Sequence, residues 1–277
     1  MMMRKYAFYL VFVCFVAFYI HQPLFGLIPN AVAGYIQDKK EEERIAEFLK
    51  DYQKVDVAHV TIHYVDADEG LLPTAKLALE EGIERNEQVL GPLDKSVDLI
   101  IFPNREDRFE LFGLSHFFQN NGIPEYDSIA IFPEDRRAIF SEMEPSDLLY
   151  KNVIHDYTQY RLVQRLSELR LDSTYIPTWF FVGLGEYMSY DGEVSPRLEV
   201  EAVPLSSLSA KIAGIGDEEN TKRNGYLQAH LTIRYVVEEY GTGIIDNILR
   251  DAEKEKNFGK AFLHHTGIGL TSVPEIY

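Results

Sequence analysis

The chain has 277 residues, enough for one large domain or two small ones with a substantial core. A hydrophobic content of 46% marks a folded globular protein, and a net charge of −17 argues against nucleic-acid binding and against electrostatic docking on anionic lipid. The single cysteine, Cys14, excludes an intrachain disulfide and a cysteine-rich zinc site.

The chain opens with MMMRKYAFYLVFVCFVAFYIHQPLFGLIPNAVAGY. Arg4 and Lys5 precede an apolar run from Tyr6 to Ile20, and the apolar character resumes after His21-Gln22-Pro23 as far as Ile28. Tyr6 to Ile28 is 23 residues, enough to cross a hydrocarbon core of about 30 Å as a helix. Two readings follow. Residues 1–28 stay as a single-pass anchor with the N-terminus inside, or they are a signal segment cut after Ala31-Val32-Ala33. Both place the remainder outside the cytoplasm, and the anchor is the first reading. A lipoprotein role for Cys14 is disfavoured, because the preceding Val-Phe-Val lacks a small residue.

Residues 29–54 read as a linker and an amphipathic helix: Ile45, Phe48, Leu49 and Tyr52 recur at helical spacing within the charged stretch 36–54. A domain over 55–277 follows. VDVAHVTIHYV (55–65) alternates and is β-branched, so it reads as one strand. Residues 71–91 read as a helix stopped by Gly91-Pro92, 97–104 as a strand, 105–114 as a short helix and 127–134 as a third strand. From about 143 the pattern is helical over 146–170, 177–190, 222–240, 241–255 and 257–266, while 191–221, rich in Gly, Pro and Ser, reads as irregular. The fold class is therefore α+β, with an α/β half over 55–142 and a helical half over 143–277.

Three segments carry a family resemblance. VIHDYTQY (153–160), IPTWFFVGLGEYMSYDG (176–192) and YLQAHLTIRYVVEEYGTGIIDNIL (226–249) occur in that order. Together they resemble the gluzincin-type metallopeptidases of the peptidase MA-like group, whose corresponding motifs read HEYTHY, LPxWLNEGLAEYFS and a helical Y-x-Q-S segment. The resemblance covers about 56–270 and implies a zincin-like domain. In the intact motif two histidines four residues apart grip one zinc ion, the glutamate between them takes a proton from the bound water, and a glutamate of the next helix is the third ligand. A further acidic residue one turn later orients the first histidine.

Carried across, the resemblance retains the first ligand as His155. The base position is Asp156, the second ligand position is Gln159, and the glutamate before Gly183 is Val182. Glu186 matches the orienting residue, and His230 falls near polar groups that steady a transition state in the family. Gln is a poor, neutral zinc donor and Val is none. Tyr157, Trp179 and Phe181 are expected to wall the former cleft. The bland readings are that His155 is an ordinary buried histidine, that the aromatic residues are core, and that His230 is a helix-face residue.

His59 and His63 fall on one face of the predicted strand, where they could bind a metal. His264 and His265, adjacent on a helix, are expected to point in different directions and to form no joint site. Gly214–Gly216 and Gly241–Gly243 lack the context of a phosphate loop. The sequence therefore implies an exported, membrane-anchored, zincin-like protein that is catalytically degenerate, with a peptide or protein partner or a structural role. No cofactor is expected, and zinc only through a ligand set the motif does not reveal. The alternative is a metal-dependent hydrolase with a rebuilt site using His155, Asp156, Glu186 and His230.

Overall fold

The computed structural model describes residues 43–104, 107, 128–132, 144–190, 201–213 and 219–274. The apolar run 6–28, the predicted helix 105–114 apart from residue 107, and Gly214–Gly216 lie outside them. Among the described residues no helix is long and apolar enough to cross a membrane. The chain divides into two compact units, Met1–Asp51 and Tyr52–Tyr277. In the first, residues 43–48 are helical and Leu49–Asp51 form one 3-10 turn. The helix predicted over 36–54 thus does not reach its expected end, because Gln53 already begins a strand.

The second unit contains a four-stranded sheet whose strands lie side by side in chain order. The single strand predicted over 55–65 is two strands, β1 (Gln53–Val57) and β2 (Val60–Tyr64), paired antiparallel with Val57 opposite Val60. The chain reverses at Ala58-His59, with Ala58 at φ 51°. Glycine, asparagine or aspartate usually supplies such a turn, so the alternating pattern runs through it without a visible break.

Helix α1 (Leu72–Leu90) crosses from β2 to β3 (Val97–Ile101), which pairs parallel to it with Ile62 opposite Leu99. β4 (Ser128–Ile131) adds a further parallel pair, Leu99 opposite Ile129. Leu99, Ile100 and Ile101 are all buried, as expected of an interior parallel strand covered on both faces. Helix α1 ends at Gly91, whose φ of 77° suits a residue without a Cβ.

Helix α2 (Pro145–Leu169) starts on a proline, whose missing N–H costs nothing in the first turn. It packs against α1, β4 and α3 (Thr178–Ser189). Burial nearly all around makes it the central helix: Val153, Ile154, Tyr157, Tyr160 and Leu162 are each inaccessible. Asn86 of α1 donates to Thr158 Oγ1 of α2 at 2.9 Å. Arg161 of α2 is buried, and its guanidinium donates to the carbonyls of Leu90 (2.7 Å), Gly91 (3.1 Å) and Pro92 (3.0 Å) at the end of α1. One side chain thereby satisfies acceptors that a helix terminus leaves without partners.

Inside the segment 191–221, expected to be irregular, lies helix α4 (Leu205–Ile212), with Leu205, Leu208 and Ile212 buried. Helices α5 (Glu219–Tyr240), α6 (Ile244–Glu255) and α7 (Phe258–Thr266) complete the unit. The described architecture is thus a mixed α/β fold, predominantly helical, with one small sheet.

Candidate functional site

The candidate site lies where α2, α3 and α5 meet. Two glycines of α3 set the spacing. A Cβ on Gly183 would stand 2.6 Å from the carbonyl oxygen of Ala229, so this glycine admits α5. A Cβ on Gly185 would stand 2.7 Å from both Cδ2 and Nε2 of His155, so this one admits the imidazole of α2. The sequence G-L-G-E therefore serves close helix approach on two sides, and Glu186 follows at once.

His155 and Glu186 are 1% and 0% exposed, and Glu186 Oε1 stands 3.3 Å from His155 Nε2. The other ring nitrogen, Nδ1, stands 3.2 Å from Asp156 Oδ1. Gln159, one turn along α2, brings its amide nitrogen to 3.4 Å from Nε2. The carboxamide can present its oxygen instead after a half-turn. Val182, one turn before Glu186, is buried in the core.

A ligating histidine usually offers its remaining nitrogen to the carboxylate that orients it. Here Glu186 faces Nε2, the nitrogen that Gln159 also approaches, and Asp156 takes Nδ1. Among the described residues one imidazole, one carboxylate and one neutral amide therefore gather at Nε2. Among the described residues no third His, Cys, Asp or Glu donor lies within 4.8 Å of that pair. This set does not fit a zinc ion, which takes three protein donors of nitrogen, sulfur or charged oxygen.

His230 of α5 is buried and packs edge-on against Tyr190, ring centroids 5.0 Å apart. Lys151, one turn before His155, places its ammonium 4.4 Å over the other part of this arrangement, the Tyr190 ring. Burial pushes the His230 pKa down, opposed by the nearby Glu186 carboxylate and main-chain carbonyl. Neither His230 nitrogen and neither Glu186 carboxylate oxygen has a well-formed hydrogen bond among the described residues.

Tyr157, Trp179 and Phe181, expected to wall a cleft, are core side chains at 1%, 0% and 1% exposure. Trp179 stacks edge-on with Phe180 and Phe262, at 5.8 and 5.5 Å, and so ties α3 to α7. Tyr157 meets His59 Nε2 at 3.0 Å through its hydroxyl, and burial raises the pKa of that hydroxyl.

His59 and His63 do not form a pair. The hairpin reversal places His59 in the turn, against Tyr157, while His63 stays on β2 and meets Asp98 at 2.7 Å. His264 and His265, expected to point in different directions, both reach Asp251 of the neighbouring helix. Lys151, Arg161 and the paired roles of Gly183 and Gly185 were missed in the sequence. The only available signal was the spacing of Lys151, His155 and Gln159, four residues apart on one helical face.

No family model matches the chain. It is similar to the uncharacterized protein YhcO of Bacillus subtilis (strain 168), with 27% identity over 224 residues, covering 80% of this chain and 68% of that protein.

Proposed function

We propose that this chain is an exported, membrane-anchored, zincin-like protein that is catalytically degenerate and acts by binding a peptide or protein partner or as a structural ectodomain. The observation that carries the reading is the content of the space at His155 Nε2. Glu186 at 3.3 Å and the Gln159 amide at 3.4 Å stand there, with the Gly185 backbone against the ring. A ring held in this way acts as a packed polar element between α2 and α3. The order of the three motif segments and the packing of α2 between a small mixed sheet and α3 support the zincin-like part. The 23-residue apolar run at 6–28 supports the anchor.

Because Tyr157, Trp179 and Phe181 are core residues, the partner is assigned to the outer surface and not to an aromatic wall at the motif. The test is hydrolysis of a broad peptide library by the full chain and by His155→Ala. The reading expects no turnover that disappears with His155; turnover lost in that variant would overturn it.

A hydrolase with a rebuilt acid–base set has one observation in its favour. The Glu186 oxygens and both His230 nitrogens are buried without well-formed hydrogen bonds among the described residues. A pH–rate profile abolished by Asp156→Asn would establish that alternative.

A further inference from the structure

The hairpin of α6 and α7 carries a second cluster, remote in sequence from the motif segments. Asp251 projects from α6, and His264 and His265 from the last turn of α7. The chain reverses between the helices through Lys256, at φ 48°, and Asn257, whose side chain accepts from the N–H of Lys260. That reversal lays the end of α7 beside the middle of α6.

Asp251 Oδ2 stands 2.8 Å from His265 Nε2 and 3.5 Å from His264 Nδ1. One histidine offers its far nitrogen and its neighbour the near one, so consecutive side chains end at the same carboxylate oxygen. Donor atoms of all three residues lie within 4.8 Å of one another, and they are the one such set of three among the described residues.

We propose that Asp251, His264 and His265 bind one divalent ion of the late first transition series, zinc in the first instance, and that the ion clamps α6 to α7. The donor set is the kind zinc accepts: two imidazole nitrogens and a carboxylate oxygen at about 2.0–2.2 Å from the metal. Donors around a tetrahedral ion of that radius are about 3.3–3.5 Å apart. The 3.5 Å separation already matches this, and the 2.8 Å one needs only a small opening of the His265 side chain. The fourth position is open to water, since the His264 side chain is 75% exposed.

Two features bear on a cation here, an ammonium that opposes it and a helix end that favours it. Lys254 Nζ takes Asp251 Oδ1 at 2.9 Å, leaving Oδ2 as the ligating oxygen. The histidines also sit at the C-terminal end of α7, where the aligned peptide dipoles present their negative pole. Imidazole nitrogen selects zinc, copper and nickel over magnesium and calcium, which prefer all-oxygen sets.

The test is calorimetric titration of zinc chloride into the full chain, made without a histidine tag and stripped of metal. Wild type should bind one equivalent. His264→Ala, His265→Ala and Asp251→Asn should each weaken binding about tenfold or more, and His155→Ala should leave it unchanged. Zinc should raise the melting temperature of wild type and not that of His265→Ala. His264 is largely exposed, so loss of binding in His264→Ala cannot be put down to misfolding. Absence of saturable binding in wild type would overturn the assignment, as would undiminished binding in both histidine variants or equally tight binding of magnesium.

Discussion

Glu186 Oε1 and His155 Nε2 stand 3.3 Å apart with both side chains buried, one on α3 and the other on α2. Glu186 faces one ring nitrogen, and Asp156 stands 3.2 Å from the other. Removing one partner of such a pair costs about 3–5 kcal/mol, whereas replacing both by apolar groups of similar size is near neutral. Glu186→Ala and His155→Leu are each expected to lower the unfolding free energy in urea by about 3 kcal/mol. The double variant His155→Leu with Glu186→Met should recover most of that loss. Equal and additive losses in a double-mutant cycle would show that the two side chains do not act as a pair.

Gly185 is the sharpest steric test of the same contact. A methyl group there meets the His155 ring at 2.7 Å on two atoms. Overpacking of this kind costs about 1–3 kcal/mol, so Gly185→Ala should be destabilised by that amount in chemical denaturation. Gly243→Ala is the control. Gly243 has φ −68° and nothing within 4 Å of a built Cβ, so alanine there should be neutral or stabilising by up to about 1 kcal/mol.

The buried His230 predicts a pH dependence. Its folded pKa lies below the ordinary 6.5, chiefly through burial. On acidification the unfolded chain therefore takes up the proton first. Stability is full above about 6.5 and falls as the pH drops from there towards the folded value. His59, also lowered by burial, adds to the loss in the same direction. In melting curves recorded between neutral and mildly acidic pH, His230→Phe should show a shallower decline than wild type. An unchanged slope would remove His230 as its source.

Arg161 should be among the costliest side chains to remove. It donates from a buried position to three carbonyls at the end of α1. Arg161→Met leaves those acceptors without their charged donor, a loss of about 3 kcal/mol or more. Arg161→Lys should recover little, because a single ammonium cannot reproduce the planar fork. Urea unfolding of the two variants checks both statements.

Local pattern marked the elements that have local causes. Gly91-Pro92 ends α1 where the sequence places its stop, and the 3.6-residue recurrence of apolar residues found α2, α3 and α5–α7. Pattern failed where the cause was elsewhere in the chain or lacked its usual residue. The hairpin at Ala58-His59 has no glycine or asparagine, so a strand of uniform alternation hid a reversal. Helix α4 is short and serine-rich, and Leu205, Leu208 and Ile212 stood among residues that usually mark loops.

The site divides in the same way. His155, Asp156 and Gln159 were readable from spacing along one helix, and Glu186 from its place in the second segment. Whether Trp179 is core or groove wall depends on Phe258 and Phe262 of α7, some 80 residues away, which no local pattern contains. The convergence of His264 and His265 depends likewise on α6 lying alongside α7. Two neighbouring helical side chains diverge unless something between them draws them together, and here Asp251 does so.

We propose His155 as a packed polar residue of the fold and not as a zinc ligand. The most direct measurement is elemental mass spectrometry of zinc in the full chain and in His155→Ala, both purified without chelators or a histidine tag and then equilibrated with zinc. The same zinc content is expected in the two proteins, with any bound equivalent lost in His265→Ala instead. Loss of one equivalent in His155→Ala alone would contradict it and would place a working metal centre at the meeting of α2 and α3.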